Sequence, residues 1–367
     1  MQISASSTQR WSRRCLEGVS RSTRLRFVLV SVLKYPLVCC LLLLNGCWSE
    51  SSSTVTVYTA LDQDFSQPIF EEFEAESDLS VAAKYDTEST KTVALTDAIM
   101  AESARPRCDV FWNNEILNTL RLEKAGLLDP YRSPHANDFP AQYRSPDGMW
   151  YGFAARARVL LVNTDLVAEA DRPDSILDLA ADRWRGRAGI AKPLFGTTAT
   201  HVACLFAHWG EERAKKFFRQ VKANDIRILA GNKQVALEVA AGRLAFGLTD
   251  TDDAMIELER GMPVAIIYPD GQPGQLGTLL IPNTVAIIKG APHPAAARRL
   301  VDYLLSADVE ARLAAGRSAQ IPLRRPAVTH SRLTMPDDLH TMQVDFAAAA
   351  EQWDAAAQFI VEEFTTN

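Results

Sequence analysis

Asp250-Thr251-Asp252-Asp253 sets three carboxylates within four residues. Held that close, carboxylates repel one another unless water or a cation neutralises them. Asp62, in Ala60-Leu61-Asp62-Gln63-Asp64, and Glu115, beside Asn114, offer further oxygens. Brought together, these side chains would form an oxygen-rich shell suited to a hard cation. Each also has a structural use. Asp250 or Asp252 can cap a helix through Ala254–Glu259, Asp253 and Glu115 suit the first turn of a helix, and Asp62 can hold a turn. Phe195-Gly196-Thr197-Thr198 stands at an expected helix start, where backbone N–H groups can face an anion. Arg156 and Arg158 are expected to serve one an anion and the other an acid, and Trp112, just after an expected strand, is either core packing or a ligand contact.

Catalytic constellations are missing. The six histidines, His135, His201, His208, His293, His330 and His340, show no HxH or HExxH spacing. Gly-x-Ser-x-Gly, a phosphate-binding P-loop and a dinucleotide fingerprint are also absent, so binding is expected rather than catalysis. Beyond residue 47 the only cysteines are Cys108 and Cys204, which either pair as one disulfide or lie buried as thiols.

The elements that must position these residues follow an α/β pattern. Strands are expected at Val55–Thr59, Leu79–Lys84, Asp109–Trp112, Arg158–Asn163, Ala188–Ala191, Asp225–Leu229, Leu244–Leu248, Val264–Tyr268 and Thr278–Ile288. Helices are expected between them, among them Pro68–Ala75, Thr92–Glu102, Glu115–Lys124, one capped by Asp174-Ser175, Thr198–Trp209, Glu212–Lys222, Lys233–Ala241, Pro294–Leu305, Asp308–Ala315 and one long Phe346–Glu363. Residues 129–148 read as a long loop. Ligands of open α/β sheets sit beyond the carboxyl ends of strands, and four such ends carry the residues above.

The 367 residues suffice for two ordinary domains or one large one, and at 47% hydrophobic they allow a sizeable core. Of 39 basic and 45 acidic side chains, seven basic and one acidic lie in the first 46 residues, so the body carries −12 and is ill suited to nucleic acid. The beginning reads as an export signal: a basic stretch, an apolar run Leu37–Leu44, then Asn45-Gly46-Cys47 and a polar tract. It resembles a lipoprotein leader spanning 1–46, with Cys47 as the acylated residue and 47–54 as a linker. An uncleaved anchor is the alternative, since the two apolar blocks between Phe27 and Leu44 together approach a membrane span.

Several colinear segments then carry a family likeness: Val57-Tyr58-Thr59, Asp109-Val110-Phe111-Trp112, Glu123–Leu128, Arg156-Ala157-Arg158-Val159, Trp184–Ala191, Val235–Val239 and His293–Ala297. With them the body resembles the ferric-iron-binding periplasmic proteins of ABC importers, within the extracellular solute-binding proteins. The resemblance implies a two-lobed periplasmic binding protein fold (type II) with hinge crossovers. Lobe 1 would comprise 55–153 and about 270–367, and lobe 2 would comprise 154–269. It implies Fe³⁺ as cargo with a synergistic anion at Gly196-Thr197-Thr198, and metal ligands at positions corresponding to Asp62, Asn114 (with Glu115 next to it), Thr251 and Asp252. The family's adjacent tyrosine pair is replaced by Asp250-Thr251-Asp252-Asp253, which leaves an oxygen site without its phenolates. Carboxylates suit other hard cations too, and a polyamine or a phosphorylated or carboxylated molecule is the alternative cargo. Likeness to polyamine-binding relatives of the fold implies acids and aromatic faces, which Asp62, Asp250, Tyr58 and Trp112 would supply. The implied partner is a permease, and the implied state is a monomer in the periplasm, joined to the membrane through lipid.

Overall fold

The computed structural model describes residues 54–87, 92–326 and 331–365. The leader, Cys47 and the start of the linker lie outside these residues. In chain order the elements are β1 (Thr54–Thr59), α1 (Gln63–Glu76), β2 (Ser80–Tyr85), α2 (Val93–Ala101), β3 (Val110–Asn113), α3 (Leu117–Lys124) and β4 (Leu128–Asp129). There follow β5 (Tyr151–Asn163), β6 (Ala188–Ala191), α4 (Gly196–Trp209), α5 (Glu211–Ala223), β7 (Arg227–Leu229) and α6 (Asn232–Ala240). The rest comprises β8 (Phe246–Asp250), α7 (Thr251–Glu259), β9 (Val264–Ile267), β10 (Leu280–Ile288), α8 (Pro294–Leu304), α9 (Ala307–Ala315), α10 (Phe346–Glu351) and α11 (Trp353–Phe364).

The strands run β2-β1-β3-β10-β5-β8-β6-β7, with β4 on β10 and β9 on β5. The path divides along β5. Its first part, Tyr151 to Ala157, pairs antiparallel with β10, and its second part, Arg158 to Asn163, pairs with β8 and β9. One lobe is thus built on β1–β4 and β10, the other on β6–β9, and β5 carries the chain between them. Neighbours β1 and β3, and β6 and β8, are parallel, which requires the helical crossovers seen in the pattern. All 13 residues of β5 are buried, as expected for a strand covered on both faces. Gly247 shows how closely these layers approach: a Cβ there would come within 2.3 Å of Val235 Cγ1 on α6.

Three expectations shift. Helix α1 begins at Gln63, five residues before Pro68, because Phe65, Ile69 and Phe73 extend one buried stripe at a spacing of four. The segment after Asp174-Ser175 forms only short 3₁₀ turns, Ile176–Ala180 and Asp182–Trp184, although Ser175 and Asp178 cap each other's backbone as a capping box. The expected long C-terminal helix breaks at Gln352 into α10 and α11. Cys108 and Cys204 are both free and fully buried, and burial pushes each thiol's pKa up.

Candidate functional site

Helix starts converge where the strands end. Asp62 is the N-cap of α1, Asn114 directly follows β3, Phe195 precedes α4, Gly231 precedes α6, and Asp250 ends β8 before α7. A narrow cavity opens among them, lined by Asp62, Asn114, Arg156, Gly196, Thr197, Asp250, Asp252 and Asp253. Ala191, Lys192, Phe195, Ala230, Gly231 and Asn232 complete the wall. Gly196 has φ of +56°, so glycine opens α4 where a side chain would be strained.

Oxygens of Asp250, Asp252 and Asp253 all lie within 4.8 Å of one another. Two buried arginines neutralise part of this charge. Arg158 Nη1 reaches Asp250 Oδ1 at 2.7 Å, and Arg156 Nε lies 3.3 Å from Asp252 Oδ2. The latter distance is an ion pair without hydrogen-bond alignment, since Arg156 Nε has no acceptor in line. Burial works to lower the pKa of Arg156, but the charges of Asp252, Asp250, Asp62 and Asp253 outweigh it and raise the value. Arg156 also donates to the backbone oxygen of Asn114 at 2.8 Å and to Asn283 Oδ1 at 3.1 Å, which locks it between the lobes. The expectation that one arginine serves an anion differs from this arrangement: both face acids.

Asn114 is 4% exposed, and its Oδ1 finds no donor. An orphaned acceptor beside Asp252 and Asp253 is chemistry for a cation or a donor group. The opposite wall differs. Helices α4 and α6 carry no acid in their first turns and no side-chain cap, and Lys192 makes no ion pair among the described residues. Uncapped helix starts beside a lysine favour an anion.

Five expected residues stand off the wall. Thr251 is 0% exposed, and its hydroxyl accepts from the backbone N–H of Ala157 at 3.2 Å. Glu115 is fully buried and accepts from the backbone N–H of Leu117 at 2.6 Å and of Asn118 at 3.0 Å, which makes it the cap of α3. Trp112 packs in the apolar core with Phe70 and Phe153, their ring centres 5.6 and 5.5 Å away. Tyr58 donates to Glu102 Oε2 at 2.9 Å, under the ammonium of Lys84. Thr198 lies just behind the wall, accepting from Arg158 Nη2 and donating to Asn232 Oδ1. Conversely, Lys192, Gly231 and Asn232 are not among the residues the sequence singles out, and Phe195 enters there only as part of the turn before α4. The strand-end rule applied to β6 and β7 finds them.

The profile of the bacterial extracellular solute-binding proteins matches residues 118–349. A probable ABC transporter periplasmic-binding protein of Sinorhizobium fredii is 30% identical over 277 residues, 72% of this chain and 75% of its own length. Iron uptake protein A2 of Synechocystis sp. is 26% identical over 283 residues, covering 73% of this chain and 78% of that protein. Among solved structures, iron-bound HitA from Pseudomonas aeruginosa matches with a TM-score of 0.75 at 24% identity, over 84% of this chain and 99% of its own. AfuA from Actinobacillus pleuropneumoniae, with fructose 6-phosphate bound, also reaches 0.75 at 21% identity, over 86% and 99%. The two structures share the two-lobed fold seen here. With a profile match that spans more than half of its length, the chain belongs to the bacterial extracellular solute-binding protein family.

Proposed function

We propose that this chain is the exported capture component of an ABC importer and that it holds ferric iron together with an anion between its lobes. One observation carries the reading: oxygens from both lobes and acid-free helix starts face each other across a single cavity. Asp62, Asn114, Asp252 and Asp253 are the donors to the cation, with Gly196, Thr197 and Lys192 on the anion. Charge supports the pairing. The wall acids Asp62, Asp250, Asp252 and Asp253 face Arg156, Lys192 and, behind the wall, Arg158, which leaves one net negative charge. A bare trivalent ion would overshoot this, and a divalent anion beside it restores neutrality. Iron-bound and iron-uptake proteins among the relatives point the same way.

Capture follows from the hinge. Cargo that touches one lobe in the open form and both in the closed form shifts the population toward closure. The protein works without catalysis and delivers to a permease as a periplasmic monomer, its lobes divided near 154 and 270. The order of the leader residues supports export, with Cys47 as the lipid-bearing terminus.

A phosphorylated organic cargo is the second reading. Among the described residues no tyrosine lines the cavity, Lys192 and two helix starts suit a phosphate, and a relative of this fold carries a sugar phosphate. The polyamine reading is weaker, because Tyr58 and Trp112 stand off the wall and leave Phe195 as its aromatic face.

Titration with ferric citrate, beside elemental analysis and mass spectrometry of natively purified protein, tests the proposal. Asp252→Asn should weaken ferric binding at least tenfold, whereas Asp354→Asn, at a carboxylate 92% exposed, should leave it unchanged. Absence of ferric binding by the parent protein would reject iron as cargo. A phosphorylated organic molecule recovered from the native protein would select the second reading.

A further inference from the structure

Asp250 lines the cavity, yet its carboxylate is already spent. Oδ1 accepts from Arg158 Nη1 at 2.7 Å, and Oδ2 accepts from Thr197 Oγ1 at 2.5 Å and Asn232 Nδ2 at 2.9 Å. Arg158 in turn donates to Thr197 Oγ1 at 3.1 Å, Thr198 Oγ1 at 3.1 Å and Asn232 Oδ1 at 3.0 Å. Arg158 is 0% exposed and Asp250 is 4% exposed. One buried ion pair therefore ties the end of β8 and the crossing strand β5 to the first turns of α4 and α6.

We infer that Asp250 is a positioning residue for the cargo's anion rather than a ligand of its cation. The inference deepens the proposed function and rests on its anion. A carboxylate that turned to coordinate a metal would leave a buried guanidinium unpaired, a large penalty. Asp252, in the first turn of α7, faces the other arginine, Arg156. Paired with Arg158, Asp250 instead adds no net charge at the helix starts and fixes their separation. Thr197 and Asn232 thereby hold two uncapped helix starts beside Lys192, an arrangement suited to a phosphate-type oxyanion. That oxyanion is either free beside a cation or esterified to an organic cargo.

The test is iron-free titration with inorganic phosphate and with fructose 6-phosphate, so that the ferric reading can fail without touching this one. Coulomb attraction alone predicts that removing any wall carboxylate tightens phosphate binding. Asp252→Asn should do so by several-fold. Asp250→Asn should instead weaken it tenfold or more, because the seat loses its anchor. Asn232→Ala changes no charge and should also weaken it, and it decides the matter if circular dichroism shows that Asp250→Asn does not fold. Tighter binding of phosphate than of the sugar phosphate assigns a free anion, and the reverse order assigns an esterified cargo; either order keeps the inference. It is overturned if Asp250→Asn, when folded, binds phosphate as tightly as the parent or more so. Parent-like affinity in Asn232→Ala, or a parent that binds neither probe, overturns it too.

Discussion

Asp250 and Asp252 are the same side chain two positions apart, and the protein uses them differently. Asp250 ends β8 and meets Arg158, whereas Asp252, in the first turn of α7, meets Arg156. The sequence discloses the acidic cluster but not its internal counter-ions, because Arg156 and Arg158 lie almost a hundred positions away and reach the cluster through strand pairing. His201 is a second case that residue type alone leaves open. It lies on α4 against an apolar cavity lined by Ile190, Leu205 and Phe217, and its Nδ1 has no partner. Burial, and secondarily the charge of Arg158, push its pKa down to about 3. Unfolded chains bind that proton near pH 6.5, so the folded state binds fewer protons below this value. Stability from His201 is therefore complete above pH 6.5 and is lost as pH falls toward 3. Between pH 7 and 4.5 the loss should be about 2–3 kcal/mol. Urea unfolding of the parent and of His201→Leu at both pH values measures it. The variant should lose that much less on acidification, and equal losses would refute the assignment.

Elements were more legible than their partners. Hydrophobic periodicity locates most strands of the two lobes, but it misses the two-residue β4 and starts β5 at Arg158, seven residues late. Helix ends were harder to read. Glu115 after β3 fits a ligand or a cap equally well by sequence, and four donors settle it as a cap: two backbone N–H groups, Asn113 Nδ2 and Thr200 Oγ1. The last bond matters beyond α3. Thr200 belongs to α4 of the other lobe and donates to Glu115 Oε2 at 2.8 Å, so a buried hydrogen bond crosses between lobes. Thr200→Val keeps the shape and leaves Glu115 three donors, so no carboxylate is orphaned. A hydrogen bond to a charged acceptor contributes about 1.5–3 kcal/mol, and its loss should fall on the closed form. Affinity for ferric citrate should drop about tenfold or more, the equivalent of at least ~1.4 kcal/mol. An affinity within twofold of the parent would show that this contact does not govern closure.

For the molecule as a whole, the C-terminal helices connect more than lobe 1, to which residues 270–367 were assigned by resemblance. Helix α10 packs on α3 of the first lobe and on α4 of the second, and α11 packs on α4 and α5. Arg121 of α3 stands 5.3 Å over the Trp353 ring, and Lys124 pairs with Glu351. On the other side Phe359 lies 5.8 Å from Phe206, and Arg219 pairs with Glu363 at 2.8 Å. The sequence pattern could not reveal this bridge, because an amphipathic stripe records that a helix is buried and not which lobe buries it. The exposed ion pairs add little, so the apolar contacts must carry the bridge. Phe359 is 3% exposed, and truncating a buried Phe to Ala costs about 3–5 kcal/mol. Phe246, in β8 of the second lobe, is 0% exposed and meets Trp184 edge to face, away from the bridge. Phe359→Ala and Phe246→Ala should lower the urea midpoint comparably. Small-angle scattering should then separate them: Phe359→Ala widens the cargo-free envelope by loosening the lobes, while Phe246→Ala leaves it alone. Matching profiles for Phe359→Ala and the parent would mean that the lobe angle is set elsewhere, at the crossing strand β5, and not by this bridge.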